Sequence, residues 1–593
     1  MHLKNESGKP IYEKIWGMLG PFQKKQLFSL LVMMLLAMVL ETLSIGLVIP
    51  TLSMLSNGKS FLNNFDVSFA QNFIGHMSKE WLILNVMMVF ALVFLIKTLF
   101  LMALAYCQTK FAFDLQENIS LRLFEIYLFQ PYLFHLQKNS SELIRNATSE
   151  VSIFTNMVSN LLVLLTEGLV LLGILALILF IEPTGAILSM VVVAVLSLGF
   201  HAFTSPKIMQ WGVRRHVAEG KRMQHLQQGL GGVKDIKLLG REAIFVENFG
   251  KYNQDVAISG RLQQVLEKMP RLLFELIAVL ALAVIVASMV YRGKSSEAIV
   301  VALGLFAASS FRLLPSISRI FNAVQSIKYG VPAVNSLSED FGLVKKGGNL
   351  ALNCGKDIRF DRAISINNIE FTYTSANKAT LMNVTMLINQ GDFIGIVGES
   401  GSGKSTFIDI CLGLLRPTNG VILVDNVDIH EDIRAWQSQI GYVPQSIYLT
   451  DDSLRRNIAF GVPDNEIDAD QIWSAVHGAQ LSGLLESLPG GLDTVIGELG
   501  SRLSGGQRQR IGIARALYHE PKILVLDEAT SALDGATESE VIKIIDSLKR
   551  NKTIIMVSHR VSTLKNCDKI FEFKNGSLIG EVTYREIFNK NLN

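Results

Sequence analysis

Residues 398–406 read GESGSGKST. Three glycines at this spacing let the chain bend tightly and bring backbone N–H groups against an anion with no side chain in the way. An apolar run, DFIGIV, precedes the loop and the helix-like KSTFIDICLGLL follows it, the strand, loop and helix order that a triphosphate cradle needs. In this reading Gly398, Gly401 and Gly403 approach phosphate oxygens, with Glu399, Ser400, Ser402 and Thr406 completing the loop; Lys404 reaches the β and γ phosphates and Ser405 coordinates Mg²⁺. A second centre is KILVLDEATSALD, Lys522 to Asp534. Its apolar residues predict a buried strand ending at Asp527, placed to hold the magnesium shell, and Glu528 follows at once as a carboxylate able to polarise a water. Together the two segments predict hydrolysis of a nucleoside triphosphate.

A third segment, LSGGQRQR, begins with Leu503, Ser504, Gly505, Gly506 and Gln507. A serine and two glycines at the head of a charged helix also suit an anion. The chain therefore carries a second anion-binding shape beside a better one.

These motifs need a soluble scaffold, and from about residue 360 the sequence has the texture of one, with strands, turns and helices. The rest differs. At 593 residues the chain is too long for one core. Hydrophobic residues make up 49% and charged ones 18%, and the mean hydropathy is +0.34, which places part of the chain in lipid. A net charge of +3 is too small to argue for nucleic acid. Cys107, Cys354, Cys411 and Cys567 lie far apart without metal-ligand spacing, as free thiols in a reducing compartment would.

Six apolar runs match the roughly 20 residues of a membrane-spanning helix: 27–55, 81–106, 154–182, 186–204, 271–291 and 298–318. Glu182 to Gly185, EPTG, predicts a tight turn between the third and fourth. No cleavable signal is evident. Lys4, Lys9, Lys14, Lys24 and Lys25 precede the first run, and 205–270 is rich in lysine and arginine, whereas 56–80 offers only Lys59 and Lys79. Both termini are therefore expected in the cytoplasm. The connections 107–153 and 205–270 contain little proline or glycine, so they are expected to continue as helices beyond the membrane, with short turning helices near Pro131–Gln137 and Gln227–Lys237. Phe61, Phe65, Phe69 and Phe73 would line one side of a short interfacial helix. The resulting division is a membrane domain over 1–330, a linker over 331–360 and a nucleotide-binding domain over 361–593.

In combination these motifs resemble an ATP-binding cassette (ABC) half-transporter of the six-span, type IV exporter class. The resemblance implies an α-helical six-span transmembrane domain followed by an α/β P-loop NTPase domain, with a RecA-like core and a helical subdomain. It implies that Tyr373 in FTYTS stacks on adenine, that Gln445 in YVPQ senses Mg²⁺ and the transport domain, and that His559 in VSHR contacts the γ-phosphate. Ser531 to Asp534 would form the loop between two sites, and Glu498 in TVIGELGSR would touch the turning helices. In ABC proteins the signature serine and glycines, here Ser504, Gly505 and Gly506, cover the γ-phosphate held by a partner cassette. That answers why one chain has two anion-binding shapes: it implies a dimer with ATP and Mg²⁺ held between two cassettes, a homodimer in this reading with a heterodimer as its alternative.

Charged residues within the apolar runs are Glu41, Lys97, Glu167, Glu275, Arg312 and Arg319; their cost in lipid makes them functional candidates, and Lys97, Arg312 and Arg319 are the substrate candidates. ETLSIGLVIPTLSML, FRLLPSISRIFNA and GVRR further resemble the bacterial PglK-type flippases. This narrower resemblance implies a lipid-linked oligosaccharide on a polyprenyl pyrophosphate as cargo, in a bacterial cytoplasmic (inner) membrane, with membrane lipids as surroundings and no nucleic acid partner. The alternatives are a multidrug or lipid exporter of hydrophobic compounds and an ATP-gated channel or regulator.

Overall fold

The computed structural model describes residues 10–48, 79–181, 183–293, 296–343, 358–374, 376, 378–530, 533, 535–549 and 551–590. The chain splits into two compact units, Met1–Gln130 with His135–Gly348, and Pro131–Phe134 with Asn349–Asn593.

The first unit is helical: α1 (Ile11–Met18), α2 (Pro21–Gly46), α3 (Lys79–Leu128), α4 (Tyr132–Gln137), α5 (Ser140–Arg145), α6 (Val151–Ile181), α7 (Pro183–Gly231), α8 (Val233–Leu239), α9 (Glu242–Tyr291) and α10 (Ser296–Leu343). Of α4, the first residues group with the second unit. Helices α3, α7, α9 and α10 run for 50, 49, 50 and 48 residues. At 1.5 Å per residue each is about 70–75 Å long, more than twice the hydrocarbon thickness, so each continues well outside the bilayer. The short helices α4 and α8 turn the chain where turning helices are expected. Gly240 closes α8 at φ +59, a left-handed cap that glycine adopts without steric cost. Helix α6 ends at Ile181 and α7 opens on Pro183, whose missing N–H is harmless at a first helical position.

Among the described residues three helices are long and apolar enough to cross a membrane, Pro21–Gly46, Leu84–Leu128 and Ser140–Phe180. The runs expected at 186–204, 271–291 and 298–318 lie on α7, α9 and α10, where only some side chains are described. The phenylalanines 61, 65, 69 and 73 lie outside the described residues. The linker expected over 331–360 is helical as far as Leu343, because Val331, Ala333, Val334 and Leu337 are buried and keep a core-facing stripe that prolongs the helix.

Where the helices leave the apolar region, a π-helical turn, Asn146–Glu150, interrupts the run from α5 into α6. Glu150 is fully buried. Arg215 of α7 places Nη2 3.1 Å from one of its carboxylate oxygens and His216 places Nδ1 3.1 Å from the other. Burial alone would raise the pKa of Glu150, but His216 and the Arg215 charge outweigh it and hold the carboxyl below its usual range. From the same turn Asn146 Nδ2 donates to Asp340 at 2.7 Å, and Tyr127 donates to that carboxylate at 2.6 Å. One buried polar cluster therefore ties α3, α6, α7 and α10 together.

The second unit holds two sheets. The antiparallel one has the order β2 (Leu381–Asn389), β1 (Ala363–Phe371), β4 (Asn419–Val424), β5 (Val427–Asp428). The other runs β10 (Ser577–Val582), β9 (Lys569–Lys574), β3 (Phe393–Gly398), β8 (Thr553–Val557), β7 (Ile523–Asp527), β6 (Ile440–Val443), and is parallel except for β10. Strands β3, β7 and β8 are apolar and buried nearly throughout, as parallel strands covered on both faces must be. Helices Leu454–Ile458, Ala469–Gly478, Ser482–Ser487 and Gly505–Leu517 pack through Leu454, Ile458, Ile472, Val476, Leu485 and Ile511 into one apolar cluster. Because β3, β8 and β7 are parallel neighbours, the segments leaving their C-terminal ends emerge at one edge.

Candidate nucleotide site

That edge gathers three of the motifs. Leaving β3, the chain turns through Gly401 at φ +80 and Gly403 at φ +100. A Cβ on Gly403 would sit 2.7 Å from Leu381 Cδ2 and 3.1 Å from the Thr380 carbonyl, so only glycine fits. The helix Lys404–Cys411 starts there, with Ser405 exposed in its first turn and Thr406 buried. Lys404 Nζ is held by the carbonyls of Gly398 at 2.9 Å and Glu399 at 2.8 Å, and Ser402 Oγ is 3.5 Å away. Burial lowers the Lys404 pKa, partly offset by Glu528 and Asp527. Tyr373 stands beside the loop, its hydroxyl 3.2 Å from Thr406 Oγ1 and its ring edge-on to Phe371 at 4.8 Å.

Strand β7 delivers Asp527 and Glu528. Burial raises the Asp527 carboxyl above the usual range and the neighbouring Glu528 charge adds to this, against the lowering effects of Tyr442 and Lys404. Glu528 has φ +48, a conformation that non-glycine residues adopt at a cost and that clusters at working sites. Its amide donates to the Val557 carbonyl at 3.0 Å. One carboxylate oxygen accepts from Gln445 Nε2 at 2.7 Å, and the other lies 2.9 Å from His559 Nε2. Three loops, after β6, β7 and β8, thus converge on one carboxylate.

Sequence reasoning missed two neighbours. Asp409 follows Ser405 by four residues, the spacing that shares a helix face. Burial, then Asp527, pushes its carboxyl up to about 6. Tyr442 pairs with Val525 across β6 and β7, and burial together with Asp527 raises its hydroxyl. The excess of half-buried carboxylates at Asp409, Asp527 and Glu528 is an environment in want of a cation.

The signature residues lie apart in sequence at the start of the helix Gly505–Leu517. Ser504 Oγ accepts from the Gln507 amide at 3.2 Å, and Gln507 Oε1 accepts from the Ser504 amide at 2.8 Å. This reciprocal capping box fixes the helix entry and leaves the amides of Gly505 and Gly506 among its first-turn donors. Leu503 packs into the apolar cluster. Glu498 lies in a short 3-10 turn, Glu498–Gly500. Ser531, Ala532 and Asp534 lie outside the described residues.

Of the substrate candidates, two have counter-ions. Lys97 is 3.4 Å from Glu41 and 3.3 Å from Ser44 Oγ, and rests over the Phe94 ring. Arg319 pairs with Glu167, which also accepts from Ser316 at 2.6 Å. Glu41 and Glu167 are buried, so these pairs offset charge locally. The side chain of Arg312 lies outside the described ones; Glu275 is exposed.

Comparison with known proteins gives two family matches, "ABC transporter transmembrane region" over residues 27–312 and "ABC transporter" over 381–531. An "ATP-dependent lipid A-core flippase" of Ralstonia nicotianae is 29% identical over 490 residues, 80% of this chain and 80% of that protein. Another of that description, from Cupriavidus metallidurans, is 30% identical over 491 residues with the same coverage. Among solved structures, a bacterial Atm1-family ABC exporter with ATP bound aligns over 96% of both chains with a TM-score of 0.76 at 22% identity, a likeness of fold.

Proposed function

Because the chain belongs to the ABC transporter family, as an exporter-type half-transporter whose membrane region is fused to an ATPase with a cytoplasmic cassette, we propose that two copies form a homodimeric flippase in the bacterial inner membrane. The cargo is a phosphorylated glycolipid, and in the narrower reading a polyprenyl-pyrophosphate-linked oligosaccharide. The convergence of Gln445 and His559 on Glu528, beside the loop that carries Lys404, is the observation that carries the ATP-driven part. The narrower cargo rests on the sequence segments at 41–55 and 311–323. A second cargo, lipid A with its core sugars, is favoured by what the relatives from Ralstonia and Cupriavidus are named for.

Nucleotide binding exchanges the two carbonyls around Lys404 Nζ for β and γ phosphate oxygens. Tyr373, held against Thr406, offers its face to adenine. Ser405 and Asp527, with Gln445 nearby, form an all-oxygen donor set suited to Mg²⁺, and the surplus of half-buried carboxylates fits that ion. When bound, Mg²⁺ neutralises charge on the transferred phosphoryl group. Glu528 exchanges Gln445 and His559 for a water, which it polarises, while His559 turns to the γ-phosphate. Gly505 and Gly506 of the second copy close over that phosphate with their free amides, so ATP holds the cassettes together and its hydrolysis releases them. The long helices carry this closure into the membrane.

The test is flipping in proteoliposomes. A fluorescent polyprenyl-pyrophosphate oligosaccharide should cross and stimulate ATPase in the wild type. Stimulation by lipid A alone would move the cargo to the second reading. Stimulation by hydrophobic drugs alone would replace both with a multidrug exporter, and ATP-dependent currents would indicate a channel.

A further inference from the structure

Since Lys97 and Arg319 are ion-paired, cations without a counter-ion are the more informative ones. On α9, just before the apolar run at 271, Arg261 and Lys268 are exposed in the single chain and make no ion pair or hydrogen bond among the described residues. They flank a shallow open saddle of about 400 Å³ that is floored by Ala257, Gly260 and Val265, with Gln264 between them. Seven residues is two turns, so both side chains share a face about 10.5 Å apart along the axis, and long arms can converge on one headgroup. Arg271 adds a third exposed cation one turn on. The carboxylate within the run, Glu267, accepts from Gln263 at 2.9 Å and lies on another face, and the next on this face, Glu275, is about 10 Å farther along. Buried Ser259, Pro270 and Phe274 mark the opposite, packed side of the helix.

We propose that Arg261 and Lys268 form a ledge at the cytoplasmic membrane boundary that receives the phosphorylated head of the cargo lipid before it is flipped. This rests on the flippase reading above. A guanidinium and an ammonium without a carboxylate partner suit phosphate oxygens. Lys268 lies directly cytoplasmic of the spanning run, where cations sit at headgroup depth, and Arg261, two turns farther out, can reach the same headgroup with its long side chain.

The test uses the full chain in nanodiscs, with direct binding and ATPase measured separately. The probes are a polyprenyl-pyrophosphate disaccharide, diphosphorylated lipid A, the polyprenol disaccharide without phosphate, and phosphatidylglycerol. Arg261→Gln with Lys268→Gln should weaken binding of a phosphorylated glycolipid at least tenfold and raise its half-stimulating concentration to match. Basal ATPase and binding of the phosphate-free lipid should stay unchanged, and Arg261→Lys with Lys268→Arg should restore affinity. Unchanged affinity in the double glutamine variant, or wild-type binding of phosphatidylglycerol as tight as that of the glycolipids, would overturn the ledge. Charge-sensitive binding without stimulation would keep the ledge and sink the flippase reading; stimulation that ignores both substitutions would do the reverse.

Discussion

Glu528→Gln should reduce steady-state ATP turnover by about 10²- to 10⁴-fold, the range expected for loss of a positioned general base, while ATP still binds. The substitution keeps size and a carbonyl oxygen, so the hydrogen bond that Gln445 Nε2 makes at 2.7 Å survives in kind. What disappears is the capacity to take a proton from water. The backbone at φ +48 is a constraint on position 528 that glutamine meets as glutamate does, so misfolding is not the expected outcome. Phosphate release measured beside retained radiolabelled ATP separates the two effects. Because turnover normally releases the closed cassettes, the variant should accumulate with ATP trapped. Hydrolysis within a few-fold of wild type would remove Glu528 from the chemistry and leave His559 as the group to examine.

Glu150→Gln is expected to destabilise the membrane unit by about 3–5 kcal/mol, the usual cost of stranding a buried charge without its partner. Arg215 and His216 both face this fully buried carboxylate, and the Arg215 guanidinium would lose its counter-charge. The sign of the pH dependence follows from the lowered pKa of Glu150. Its stabilisation is complete above the unfolded value and is lost as pH falls through the folded one. The gap in melting temperature between wild type and variant should therefore hold from about pH 8 to pH 5 and close only below about pH 4. Replacing Arg215 by Met in the same chain should recover part of the loss, because the stranded guanidinium is gone. An unchanged melting temperature in Glu150→Gln would show that the cluster is neutral to stability.

The cassette was legible because its chemistry depends on backbone geometry that only certain residues allow. Gly403 is forced by the Thr380 carbonyl and Leu381, and the buried strand before Asp527 is an uninterrupted apolar run. The lengths of α3, α7 and α9 could be read from the scarcity of proline and glycine in the connections. The Glu150 cluster was not legible, since it joins residues 65 apart in sequence for Glu150 and Arg215 and 194 apart for Asn146 and Asp340, with no spacing to announce it. For the same reason the ion pairs of the substrate candidates Lys97 and Arg319 were not legible: a sequence shows the cost of a charge in lipid but not the carboxylate on another helix that offsets it. The end of the membrane unit was placed too early because the core-facing stripe of α10 runs past Pro332 to Leu343 without a composition shift.

The central claim is that each copy completes the nucleotide site of the other through Ser504–Gly506. Its most direct test is a cross-link by a short bismaleimide between two chains that each carry one cysteine, Ser504→Cys in one and the exposed loop residue Ser400→Cys in the other, with Cys107, Cys354, Cys411 and Cys567 replaced. With Glu528→Gln and ATP–Mg²⁺ present, the reagent should give a cross-linked dimer in high yield, and a sparse one without nucleotide. Equal cross-linking with and without ATP, or ATP hydrolysis at wild-type rates by a strict monomer in nanodiscs, would contradict it.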